Sequence, residues 1–210
     1  MTTISGFIRL LCVDDHPLMR EGIAAVIRDA ADMGLVAEAI NGQEAIERFR
    51  EFRPDITLMD LRLPDMSGIE AVRAIRKEFK EARIIMLTTF DGDVDIRRAL
   101  EAGAQGYLLK TMPRPELVET IRKVYSGKRH VPPEVADQLA QFVGLALLSQ
   151  REIEVLERIA CGNRNHDIAS MLFISEETVK GHVKHIMEKL GASDRTEAVA
   201  IGLRRGILSL

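Results

Sequence analysis

Residues 8–17 read IRLLCVDDHP. Ile8 to Val13 is aliphatic and β-branched apart from Arg9, the pattern of a short buried strand, and it runs straight into two adjacent carboxylates, Asp14 and Asp15. Like charges side by side repel, so their retention needs a reason. One reading is that they favour the positive end of a helix beginning at Pro17, a good first helical residue. The other is that they hold a cation.

Outward from this stretch, short apolar runs alternate with amphipathic ones. The runs IRLLCV, GLVAEAI, DITLM, RIIML and GYLL are separated by helical patterns such as LMREGIAAVIRDA, GQEAIERFREF, SGIEAVRAIRKEF and DVDIRRALEAG, and a fifth, PRPELVETIRKVYSG, follows the last strand. Near-continuous apolar strands joined by helices of about ten residues predict a doubly wound, five-stranded parallel sheet covered on both faces, over residues 1–126. Residues 127–147, with Gly127 and the pair Pro132–Pro133, break the alternation and read as a linker with one poorly amphipathic helix. Residues 148–210 hold no strand signal. Four helical stretches there, two of them opening on capping-box spacings (Ser149 with Glu152, Asp194 with Glu197), predict a small all-α domain.

In an open parallel sheet, ligands bind beyond the carboxyl ends of the strands. The first strand ends at Asp14 and Asp15, the third at Asp60, the fourth at Thr88 and the fifth at Lys110; only the second ends without a reactive group, at Ala39, Ile40 and Asn41. Three carboxylates at one edge demand a counter-charge. An oxygen-rich site open to water suits Mg²⁺, and Lys110 supplies a second positive charge. Metal and ammonium together would stabilise a phosphoryl group in transfer, with Asp60, alone in mid-site, the best candidate nucleophile.

The chain of 210 residues is 29% charged and 46% hydrophobic with a formal net charge of -3, an ordinary soluble composition without a sequence-wide signal for nucleic acid, so any basic surface is local. No apolar run reaches membrane-spanning length, the first seven residues lack a secretory pattern, and the two cysteines, Cys12 and Cys161, fall in different domains. A cytoplasmic, disulfide-free protein without a membrane partner is expected.

In the helical domain a short helix, a tight turn through Ile174 and Ser175 and a longer helix follow one another. Val179, Val183, Ile186 and Leu190 recur at steps of four, three and four and predict one buried stripe. Glu177, Gly181, Lys184 and Glu188 form the opposite face, flanked by Thr178, Lys180 and His185. This fits a recognition helix in a major groove, although from the residues alone a packing module fits equally. His182 and His185, three apart, lack the further ligands of a zinc set.

The stretches VDDHP, LMDLRLPDMSG, LTTFD and GYLLK resemble the receiver domain of two-component response regulators, a flavodoxin-like fold, across roughly the first 125 residues. That resemblance implies that Asp60 accepts phosphate from a sensor histidine kinase, that Asp14, Asp15, Asp60 and the backbone carbonyl of Arg62 hold Mg²⁺, and that Lys110 pairs with the acyl phosphate. It also makes Thr88 and Tyr107 a switch, the hydroxyl moving to the phosphoryl group and the ring turning inward. Thr111 departs from the proline that usually follows the lysine. LSQREIEVL, GNRNHDIA, ISEETVKGHVKHIMEKLG and DRTEAV resemble the LuxR-type helix-turn-helix, which makes the whole chain similar to the NarL/FixJ group. The resemblance implies base contacts from Lys180, Gly181 and Lys184, backbone contacts from Thr178, His185 and Arg195, and a homodimer on double-stranded DNA. Gly181 departs from the larger aliphatic residue common there and loses a thymine methyl contact.

The expected function is a transcriptional regulator switched by phosphorylation at Asp60, catalysing only its own phosphorylation and slow dephosphorylation. A regulator that uses the receiver as a phosphate-independent interaction module is the alternative. A phosphatase of the haloacid dehalogenase type would need an acid two residues beyond the nucleophile, where Arg62 stands, and a nucleotide-binding module would need glycines where Asp14, Asp15, His16 and Pro17 stand.

Overall fold

The computed structural model describes residues 6–89, 92–133, 135–136 and 147–208. Contacts divide them into two units, the first formed by 6–89 with 96–136 and the second by 92–95 with 147–208. Most of the expected linker helix lies outside the described residues.

The first unit alternates β1 (Ile8–Val13), α1 (Pro17–Arg28), β2 (Met33–Ala39), α2 (Gly42–Phe52), β3 (Ile56–Asp60), α3 (Gly68–Glu78), β4 (Ile84–Thr88), α4 (Asp93–Glu101), β5 (Gly106–Leu109) and α5 (Arg114–Tyr125). All strands are parallel, in the order β2-β1-β3-β4-β5. The order reverses at β1, so the ends of β1 and β3 lie side by side and form the crevice edge. Ile8, Leu10, Cys12, Ile56, Leu58, Ile85 and Leu87 pack against Ile23 and Ile27 of α1 and Leu117, Ile121 and Val124 of α5. The alternate residues Leu11, Val13, Met59 and Met86 are equally buried, which is why the strands read as unbroken apolar runs. All peptide bonds among the described residues are trans, Lys110–Thr111 included.

The second unit packs α6 (Gln150–Ala160), α7 (Asn165–Leu172), α8 (Glu176–Leu190) and α9 (Arg195–Arg204) around Val155, Leu156, Ile159, Ile168, Val179, Ile186 and Ala198. The first turn of α4, residues 93–95, groups with this unit rather than with the rest of its helix, and within the unit Arg205 donates two hydrogen bonds of 2.9 Å to Asp93. The capping box at Ser149 forms as its spacing predicts. At α9 only half of it forms: Asp194 accepts from the backbone of Thr196 and Glu197, while Glu197 turns back to Ser193 rather than to the cap residue. Among the described residues no helix is long and apolar enough to cross a membrane.

Glu152 does two jobs, accepting from the Ser149 backbone at 2.6 Å and from Lys189 of α8 at 2.7 Å, so one buried carboxylate ties α6 to α8. Burial pushes its carboxyl up, but Lys189 and the Ser149 donors outweigh that and hold it below its usual value. A carboxyl lowered on folding contributes stability above its unfolded pKa, and that contribution is lost as pH falls through the folded value. Glu152→Ala should therefore cost about 1–3 kcal/mol in denaturant melts at neutral pH. Glu152→Gln should flatten the acid limb of the stability profile.

Candidate functional site

The ends of β1, β3, β4 and β5 converge at one edge as their residues predict, while β2 brings nothing to it. Asp14 is sealed from solvent, Asp60 is 3% exposed and Thr88 1%. Asp15 stands at the rim with 36% of its side chain exposed. Lys110 reaches between two of the carboxylates, its Nζ 2.6 Å from Asp14 Oδ2 and 2.8 Å from Asp60 Oδ2. Its backbone N–H donates to the Thr88 carbonyl at 2.6 Å, which fixes where the stem begins.

Electrostatics follow from this seclusion. Burial pushes the Asp60 carboxyl up, Lys110 pulls it down, Asp14 pushes it up again, and the net displacement is upward. For Lys110, burial works against the charged form, but the two carboxylates outweigh it and raise its pKa. Asp60 is thus a partly desolvated carboxylate beside a permanent cation, a combination that suits a nucleophile.

The acidic edge also fits a metal ion. Among the described residues, Asp14, Asp15, His16 and Asp60 each offer a ligand atom, all within 4.8 Å of one another. Asp14 Oδ2 faces the Lys110 ammonium at 2.6 Å and Asp15 Oδ1 faces His16 Nδ1 at 2.6 Å, so the carboxylate oxygens of this edge already gather positive or proton-bearing groups. Arg62 directs its N–H to Asp60 Oδ1 at 3.3 Å, which places its peptide at the same edge.

Two supporting residues escaped sequence reasoning. A Cβ on Gly68 would collide with the Asp60 carbonyl oxygen, so only glycine lets α3 start against the nucleophile's own peptide. Asp65 accepts from the backbone of Gly42 and Gln43 at 2.8 and 2.9 Å, pinning the loop after β3 to the N-terminus of α2. An aspartate and a glycine close behind a strand-end carboxylate carry this signal only when the loop's path is known.

Tyr107 is completely buried, its backbone N–H donating to the His130 carbonyl at 3.1 Å, and His130 in turn donates to Gln105. Residue 130 thereby bridges β5 in parallel and extends the sheet by one residue.

In the second unit α7 and α8 meet through a turn in which Phe173 holds a left-handed φ of 55° with its ring 95% exposed. Ser175 caps α8 by accepting from the Thr178 backbone. Val179 and Ile186 of the stripe are buried, Val183 and Leu190 partly so. Thr178, Lys180, Lys184, His185 and Arg195 are exposed, and a side chain at Gly181 would meet open space. Lys180 lies 3.7 and 3.5 Å from Glu176 and Glu177, and Lys184 3.8 Å from Glu188. Exposed pairs of this kind contribute about 0–1 kcal/mol, so both lysines can exchange partners readily. Among the described residues no third ligand joins His182 and His185.

Comparison with known proteins gives matches along nearly the whole chain. Residues 10–122 match the response regulator receiver domain, and residues 146–201 match the bacterial regulatory proteins of the luxR family. The transcriptional regulatory protein LnrK of Bacillus subtilis is 38% identical over 216 residues, covering 95% of this chain and 98% of that one. The response regulator protein VraR of Staphylococcus aureus is 37% identical over 206 residues, covering 96% and 99%. The crystal structure of response regulator ChrA, from a heme-sensing two-component system, is similar with a TM-score of 0.59 and 37% identity over 97% of this chain and all of that one.

Removing the ammonium leaves two buried carboxylates facing each other. Lys110→Ala should destabilise the first unit by on the order of 3 kcal/mol in urea melts at neutral pH. An unchanged midpoint would show that the ammonium does not hold the pair together.

Proposed function

From the premise that this chain belongs to the response regulators that join a receiver to a LuxR-type DNA-binding domain, we propose that phosphorylation of Asp60 by a sensor histidine kinase switches its affinity for double-stranded DNA. The observation that carries this reading is the Lys110 ammonium held between Asp14 and Asp60 at the edge where the metal-capable oxygens gather.

Asp60 Oδ would attack the phosphorus of a phosphohistidine; the new O–P bond forms as the N–P bond breaks, and the electron pair leaves on the imidazole. Asp14, Asp15, Asp60 and the Arg62 carbonyl would hold Mg²⁺, which supplies positive charge for the phosphoryl oxygens. Lys110 would follow the phosphoryl group, since it already contacts the accepting carboxylate. Thr88, at the end of the neighbouring strand, would donate its hydroxyl to a phosphoryl oxygen, with buried Tyr107 as its partner in a two-state packing element. Hydrolysis of the acyl phosphate resets the site, and no other turnover is assigned. The receiver is taken as 1–126, the linker as 127–147 and the DNA-binding domain as 148–210.

On DNA, Lys180, Gly181 and Lys184 would meet base edges while Thr178, His185 and Arg195 contact the backbone, and two copies would read two half-sites from the cytoplasmic side of the signalling pathway. Phosphorylation acts by making one receiver state favour the DNA-competent dimer.

Intact mass after incubation with Mg²⁺ and a small acyl phosphate should show one phosphoryl adduct on the parent protein and none on Asp60→Ala. DNA affinity of the phosphorylated form should exceed that of Asp60→Ala, and equal affinities would instead favour a phosphate-independent receiver. Lys184→Ala should cost about 1–3 kcal/mol of binding and relax specificity at one base pair, whereas Arg195→Ala should weaken all sequences alike and reduce the salt slope by about 1.

A further inference from the structure

We propose that the cleft between α1 and α5 of the first unit is a binding site for a small aromatic carboxylate, with the ring seated in the cleft and the carboxylate held at its mouth by Arg114. The site stands on its own geometry and does not depend on phosphorylation of Asp60.

The cleft has a volume of about 150 Å³. Pockets for drug-sized ligands run to about 300–1,000 Å³, whereas an apolar cavity of about 150 Å³ accommodates a benzene ring, so this one suits a single ring. Its apolar lining is Met19, Ile23, Val26, Leu87, Met112 and Leu117. Two of these are methionines, whose flexible thioethers adapt to an irregular gap and make favourable contacts with aromatic rings. The charged lining is cationic throughout, Lys110 and Arg114. The Lys110 ammonium is engaged by Asp14 and Asp60. Arg114 is exposed and, among the described residues, has no ion-pair or hydrogen-bond partner for its guanidinium. It is the first residue of α5, whose cap residue Pro113 brings no side-chain bond, so the positive end of the helix adds to its charge. An uncompensated cation at the mouth selects an anion over a neutral ring.

Gly22 is a second observation that points the same way. It lines the cleft from the middle of α1, where glycine is the poorest helix former after proline. A Cβ there would meet nothing within 4 Å, so no crowding neighbour requires the glycine. Its effect falls on the cleft, which a larger side chain at this position would narrow. Leu87 and Lys110 bring the lining to the ends of β4 and β5, so an occupant lies beside the strands that end in Thr88 and Lys110.

The test is titration of the full chain with benzoate, benzamide and acetate, read by NMR on methionine methyl groups, with Met19 and Met112 assigned through Met19→Leu and Met112→Leu. Benzoate should shift both signals to saturation, benzamide should bind about fivefold or more weakly, and acetate should leave them unmoved. Arg114→Ala should weaken benzoate to the level of benzamide. Gly22→Leu should weaken it about tenfold or more by filling the cleft, yet melt no lower than the parent, because leucine favours the helix and nothing crowds the position. No saturable shift with benzoate, or binding unchanged by both Arg114→Ala and Gly22→Leu, would overturn the proposal. Equal affinity for benzamide and benzoate would overturn the choice of a carboxylate. A change in sedimentation on Gly22→Leu without any benzoate response would assign the cleft to a second copy of the chain and overturn the proposal as well.

Discussion

A lysine ammonium set between two buried carboxylates is the interaction on which the receiver is built. Asp14 and Asp60 are almost fully buried, and the Lys110 ammonium between them supplies the counter-charge that offsets their desolvation, as they do for it. Sheet order makes the contact possible. Neighbouring strands lie about 4.8 Å apart, so β1 and β3 hold their aspartates side by side, and a residue at the end of β5, two strands from β3, must cross the end of β4 to reach them. The long, unbranched stem of lysine makes that crossing, and the backbone bond from Lys110 to the Thr88 carbonyl fixes its starting point.

Strand ends were legible because they lie at the boundary between apolar runs and polar loops, and both signals are local. The five strands and nine described helices follow from periodicity for the same reason. Gly68 and Asp65 were not legible. Their roles arise from a loop folding back, the glycine against the Asp60 peptide and the aspartate against α2, and nothing in the spacing of either residue announces the partner. The Glu152–Lys189 bond illustrates both cases: the capping half lies three residues away and could be read, whereas the ammonium arrives from 37 residues on. His16 falls between them, since it is adjacent to the aspartates in sequence but only the backbone at the start of α1 turns its ring toward them.

The chain as a whole carries a net charge of -3, and its basic and acidic residues balance within the DNA-binding unit, 148–210. Lys180 and Lys184 are matched within α8 by Glu176, Glu177 and Glu188, so the free helix carries no large uncompensated charge. Such exposed pairs contribute about 0–1 kcal/mol and so break at little cost. Gly181 has open space around it and costs the helix about 1 kcal/mol relative to alanine.

Strand β5 is also tethered to chain beyond the sheet. β5 carries both Tyr107 and the approach to Lys110, and its outer edge is hydrogen-bonded to His130 through the Tyr107 amide on one side and the Gln105 carbonyl on the other. A shift of the Tyr107 peptide must stretch or break the bond to residue 130. Sheet bonds of this kind contribute about 1 kcal/mol each. The segment after α5 is therefore a strand extension rather than a free tether up to residue 130, and any displacement of β5 is imposed on it directly.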